Sequence, residues 1–163
     1  MKKFELTNEF VTNMFGTKLF RIRALVEFGD VEAGELGGYV EKESNLGHDD
    51  NAWVYDNAWV YGDAQVSGDA PVYGNARVCG NGDYAYAHGF GSVNRTTTFF
   101  RLKDGGVGVR CGCFYGTLAQ FRDKIRETHG ETKKAQEYLM LADLMELRFE
   151  EDENEVGNRK YVE

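Results

Sequence analysis

Proline is almost absent: one in 163 residues, against 20 glycines, which excludes proline-rich disorder and leaves chain reversal to glycine. Cysteine is scarce as well, and an odd count of three does not suit a disulfide framework; a reducing compartment fits it better. No run of about 18 apolar residues occurs. The start Met1-Lys2-Lys3 leads into Phe4-Glu5-Leu6 rather than a signal-peptide stretch. The chain is therefore expected to be cytoplasmic and to have no membrane partner. Basic charge is in deficit, 19 Lys and Arg against 27 Asp and Glu. The net charge of -8 argues against a protein that coats nucleic acid in bulk, while leaving room for a local basic patch. With 42% apolar and 13% aromatic residues there is material for a core, in one domain or in a small repeat body with an appended module.

The glycines are explained by their spacing. From residue 51 the chain reads NAWVYD, NAWVYG, DAQVSG, DAPVYG, NARVCG and NGDYAY. Ala52, Ala58, Ala64, Ala70 and Ala76 are each followed two positions later by Val54, Val60, Val66, Val72 or Val78. Upstream, Gly38-Tyr39-Val40 and Ser44-Asn45-Leu46 keep the pattern, but Leu46 to Val54 is eight residues, which marks a two-residue insertion near His48-Asp49-Asp50. A six-residue period with one small and one branched inward residue predicts short strands joined by tight corners. An 18-residue turn of chain then sets Val54 over Val72 and Val60 over Val78. Gly, Asn and Asp at the corners tolerate the backbone angles required.

These hexads resemble the hexapeptide-repeat proteins, over roughly residues 38 to 84. The whole chain, including ELGGYVEKESNLGHDDNAWVY, NRTTTFFR and CGCFYGTLAQF, is similar to small hexapeptide-repeat proteins of bacteriophage and prophage genomes. The resemblance implies a mainly β fold: a left-handed parallel β-helix with N-terminal capping strands and a C-terminal hairpin plus two helices. It also implies a homotrimer and, for a phage-encoded protein, the host cytoplasm.

The expected organisation is capping strands over 1–37, the repeat over 38–90, an α+β module over 91–149 and an acidic tail over 150–163. Leu19 to Val26 alternates as a strand with one wet face. Thr96 to Lys103 and Val107 to Phe114 read as a hairpin around Asp104-Gly105-Gly106. Thr117, with Gln120 in the capping-box position, starts one helix that stops at Gly130. Thr132 starts another that runs to about Phe149.

Trp53, Tyr55, Trp59, Tyr61 and Tyr73 flank the inward valines, so they are expected to face outward as a subunit interface. Arg95, Thr96, Thr97, Arg101 and Arg110 combine guanidinium groups with hydroxyls after the repeat, a set suited to a phosphate or carboxylate. The alternative for that set is a solvated hairpin face. Histidine is the base in many acyltransferases of the resembled fold, so His48, and after it His88, are the catalytic candidates if the protein is an enzyme. His129 suits a helix C-terminus. Cys111 and Cys113 read as buried thiols on an apolar stripe, and no metal site is expected.

Three functions compete. The favoured one is a non-enzymatic phage accessory or counter-defence protein without a cofactor, which sequesters a small anionic, nucleotide-like ligand or occludes a host protein. The second is a coenzyme A-dependent acyltransferase, which rests on fold analogy. The third is a structural or assembly protein of the virion.

Overall fold

The computed structural model describes residues 2–91 and 95–150. Along the chain lie strands β1 (Phe4–Thr12), β2 (Lys18–Ala24), β3 (Leu36–Val40), β4 (Trp53–Val54), β5 (Trp59–Val60), β6 (Pro71–Val72) and β7 (Arg77–Val78). They are followed by β8 (Tyr84–Phe90), β9 (Arg95–Arg101), β10 (Val107–Cys111) and β11 (Phe114–Thr117), then by helices α1 (Leu118–His129) and α2 (Lys133–Phe149). Asn94 and the acidic stretch from residue 151 onward, both part of the sequence reading, lie outside the described residues.

The expected left-handed parallel β-helix is corrected by the strand pairing. The described residues form three separate sheets: a mixed five-stranded one in the order β1-β2-β3-β5-β7, an antiparallel four-stranded one in the order β11-β10-β9-β8, and the pair β4-β6. Parallel pairing is confined to short contacts: Val54 opposite Val72, Val60 opposite Val78 and Val40 opposite Val60, with an isolated bridge from Leu46 to Val66. The first two pairs are eighteen residues apart and the last two twenty, so the two-residue insertion shows directly in the register. Four of the hexads supply two residues of strand each, and DAQVSG only the bridge at Val66. All the longer strand pairings are antiparallel, and the two helices add a further layer.

The hexad residues nonetheless build one core. The five alanines from Ala52 to Ala76 and the five valines from Val54 to Val78 are all buried. At its corners Gly62, Gly68 and Gly74 take positive φ. A side chain at Gly62 would also meet the carbonyl of Cys79, so glycine is required there on both counts. The antiparallel sheet lies between this core and the helices, because β9 alternates: Phe100 joins the hexad core and Phe99 the helical one. Strand β8, read as the end of the repeat, is an edge of that sheet and pairs with β9. β1, which the sequence reading did not pick out, pairs with β2.

Both helix starts agree with the sequence. The Thr117 hydroxyl accepts the Gln120 N–H, and the Gln120 side chain accepts the Thr117 N–H. The Thr132 hydroxyl accepts the Ala135 N–H. Replacing Thr117 by Ala should cost about 1 kcal/mol, readable as a small loss in urea midpoint at unchanged m-value.

Candidate functional site

Of the outward aromatics, Trp53 and Tyr61 are buried by the chain itself, which takes these two out of the expected interface, while Tyr55, Trp59 and Tyr73 are half-buried. Trp53 is fully buried, with Phe4 and Phe28 edge-on to its ring. Tyr61 is buried with Leu19 and Tyr39, and Trp59 lies under the Arg77 guanidinium, 4.0 Å from the ring centroid. Tyr55 and Tyr73 stack on each other at 4.2 Å, with the rings of Tyr115 and Phe100 following. Facing away from the inward valines therefore means, for Trp53, Tyr61 and Tyr73, facing β1, β2 and β11 respectively.

The two histidine candidates stand apart, each with a structural partner. His48 stacks on Phe4 with centroids 4.4 Å apart, and its Nδ1 accepts the Lys3 backbone N–H at 3.0 Å. His88 is exposed on β8, with Nδ1 2.7 Å from the Thr96 hydroxyl.

The proposed anion set is divided. Arg101 is buried: its Nε donates to Asp83 Oδ1 at 3.0 Å and its Nη2 to the carbonyl of Phe149, so it ties the end of the hexads to the end of α2. Burial works against the Asp83 charge. The Cys79 N–H, the Arg101 guanidinium and the Cys79 thiol nevertheless hold its carboxyl below the usual range. Arg110 lies over the Tyr73 ring at 4.4 Å, on the face of the sheet away from the helices. Thr96 is turned to His88, and Thr97 is fully buried, its hydroxyl 3.2 Å from the Cys111 sulfur. Arg101, Arg110 and Thr96 are thus corrected from ligand contacts to structural roles.

Arg95 lines a cavity. A cleft of about 240 Å³ opens between the β10–β11 turn and the paired helices. Arg95, Lys124, Thr128 and His129 supply its polar lining, with Cys111 and Cys113; Phe114, Phe121, Ile125 and Tyr138 supply the apolar part. Among the described residues no carboxylate lines it. Gly112, at φ 60°, lets the turn close against Arg95, and a Cβ there would collide with the guanidinium. Beneath lies a chain of weakly polar groups, Thr97 to Cys111 and Cys111 to the Tyr138 hydroxyl at 3.8 Å. Burial first, and then the neighbouring Cys111, push the Tyr138 phenol up, so it stays protonated. The His129 ring lies over Tyr138 with centroids 5.9 Å apart. Lys124 has only a long contact to Glu127, at 4.0 Å.

The two thiols of the turn differ. Cys111 is partly buried among the helical core residues, whereas Cys113 is exposed at the hairpin turn, which corrects its reading as a buried thiol. The sequence reading also missed Lys124, Thr128 and Tyr138 as site residues, and gave His129 only a helix-end role. A dipole-matched His at a helix end looks the same in sequence whether or not a cleft opens beside it.

No protein-family model matches the chain, and no curated protein matches it.

Proposed function

We propose that the protein binds a small organic anion in the cleft between the β10–β11 turn and the helices, and holds it without chemical change. One observation carries this reading. In a chain of net charge -8, the cleft gathers Arg95 from β9 with Lys124 and His129 from α1, and no acidic residue is among its described lining. A phosphate or carboxylate would sit against Arg95 and Lys124, and Arg95 is suited to bidentate recognition. Phe114 and His129 offer flat surfaces for a planar part of the ligand, which favours a nucleotide-like anion. A cleft of about 240 Å³ takes the anionic end and one ring system, so a mononucleotide is a better fit than an extended carrier such as coenzyme A. Sequestering such a molecule would serve the accessory or counter-defence role favoured in the sequence analysis. The alternative of occluding a host protein with the hexad aromatics loses Trp53 and Tyr61, which are buried, and is left with the half-buried Tyr55, Trp59 and Tyr73.

The experiment is titration calorimetry with nucleoside monophosphates, cyclic nucleotides and acetyl coenzyme A, followed by chromatography of the recovered ligand. Binding of a mononucleotide, recovered unchanged, is expected. Arg95→Ala should weaken it roughly 10- to 100-fold, the usual worth of one charge-assisted contact. Lys124→Gln should weaken it less. Binding unaffected by Arg95→Ala would place the ligand elsewhere, and conversion of acetyl coenzyme A with thiol release would replace this reading by the acyltransferase one.

A further inference from the structure

Helix α2 is apolar on two sides. One side, Ala135, Tyr138, Ala142, Met145 and Phe149, is buried against α1 and the sheet. On the other, Met140, Leu144 and Leu147 are 70%, 54% and 67% exposed, and no described element covers them. A surface helix of a monomer presents polar residues there. Met140 and Leu144, with Phe90, Leu141 and Glu137, border an open groove of about 540 Å³, and Leu147 extends the apolar surface by one helical turn. The spacing of Met140, Leu144 and Leu147, four and then three, is the seam along which one helix packs lengthwise on another.

The charge along this helix indicates its occupant. Lys133 and Lys134 stand at its start. Glu150 caps its end, and the sequence goes on with Glu151-Asp152-Glu153. Two parallel copies would place lysine beside lysine and glutamate beside glutamate. Two antiparallel copies place the basic start of each beside the acidic end of the other, and a two-fold axis supplies that match twice. The register that packs Met140 against Leu144 of the partner subunit also brings Lys134 to Glu150 of the partner subunit. The Met140–Leu144 contact and the end charges are satisfied by one arrangement, which sets Leu147 beside Glu137 of the partner subunit at the rim of the seam.

We infer that the protein forms a two-fold symmetric homodimer through the exposed face of α2, its helices antiparallel about a point near Ala142. This differs from the trimer that the hexad resemblance implies, two of whose expected contact residues, Trp53 and Tyr61, are buried. It is independent of the anion cleft, which lies on other residues, so either can fail alone.

Sedimentation velocity from 1 to 100 µM is expected to show a dimer in reversible equilibrium with monomer. Leu144→Glu should give a monomer throughout this range, with far-ultraviolet circular dichroism unchanged because Leu144 is exposed. Lys134→Glu and Glu150→Lys should each weaken the dimer several-fold at low salt, and the double variant should recover it. A native protein monomeric at 100 µM, or an oligomer indifferent to Leu144→Glu, overturns the interface. Failure of the double variant to recover what the single ones lose overturns the antiparallel arrangement.

Discussion

Replacing Arg101 by Met is expected to destabilise the protein by about 3 to 5 kcal/mol, the range found when one partner is removed from a buried ion pair. Both Arg101 and Asp83 are 4% exposed, so the carboxylate left behind keeps its desolvation penalty and loses its counter-charge. The two N–H and S–H donors from Cys79 remain, but neither is a cation. Urea unfolding followed by circular dichroism reads the effect directly, and a change below about 1 kcal/mol would mean that the pair is not buried in solution.

The same pair has a pH signature. The Asp83 carboxyl is held below its usual range in the fold, so near and below pH 4 the unfolded chain takes up the proton first. The stabilisation is therefore present in full above about pH 4 and is lost as pH falls through the lowered native value. The Tm difference between the native protein and Asp83→Asn should accordingly be largest at neutral pH and narrow in acid. A difference that stays constant from pH 7 to pH 3 would show that Asp83 is not the titrating group.

Replacing Val60 by Asp is expected to be of similar severity. Val60 is fully buried and lies opposite Val40 on one side and Val78 on the other, so a carboxylate there has no partner and no water. A loss of several kcal/mol corresponds to a fall in Tm on the order of 10 °C for a chain of this size, or to failure to fold. Gln65→Asp is the comparison, because Gln65 is exposed one residue before the buried Val66. Its near-neutral outcome, beside the collapse of Val60→Asp, would establish the alternation of the hexads residue by residue. Equal effects at both positions would refute it.

Much of the local structure was legible in the sequence because it depends on neighbours a few residues away. The Thr117 and Thr132 caps, the end of α1 at Gly130 and the burial of every hexad alanine and valine follow from hydrogen-bond donors, backbone freedom and period. Register was legible too, including the insertion that separates Val40 from Val60 by twenty residues while Val60 and Val78 remain eighteen apart. The extension from these contacts to a whole architecture was not. Two-residue strands leave most of the pairing to other segments, and β1, β2 and β8 to β11 pair antiparallel.

The candidate site was legible in one residue of five. Arg95 was chosen for the chemistry of its side chain, as were Arg101 and Arg110, and composition gives no means of telling them apart. What separates them is the face and depth at which each emerges from the antiparallel sheet: Arg95 into a cleft, Arg101 onto Asp83 in the interior, Arg110 across the ring of Tyr73. Lys124 and His129 reach the same cleft from α1, more than twenty residues further along the chain.

From sequence alone came the period, the inward residues, the helix starts and an acidic balance that disfavours bulk nucleic-acid binding. All of these are set by local geometry or by composition. Tertiary structure alone decided that Trp53 and Tyr61 are core residues, that Arg101 belongs to a buried ion pair, and that Arg95, Lys124 and His129 meet in one wall with no carboxylate among its described residues. A period specifies which way a side chain points from its own strand. Whether that direction meets water, another strand or a cleft depends on how distant segments pack, and no spacing within the hexads encodes it.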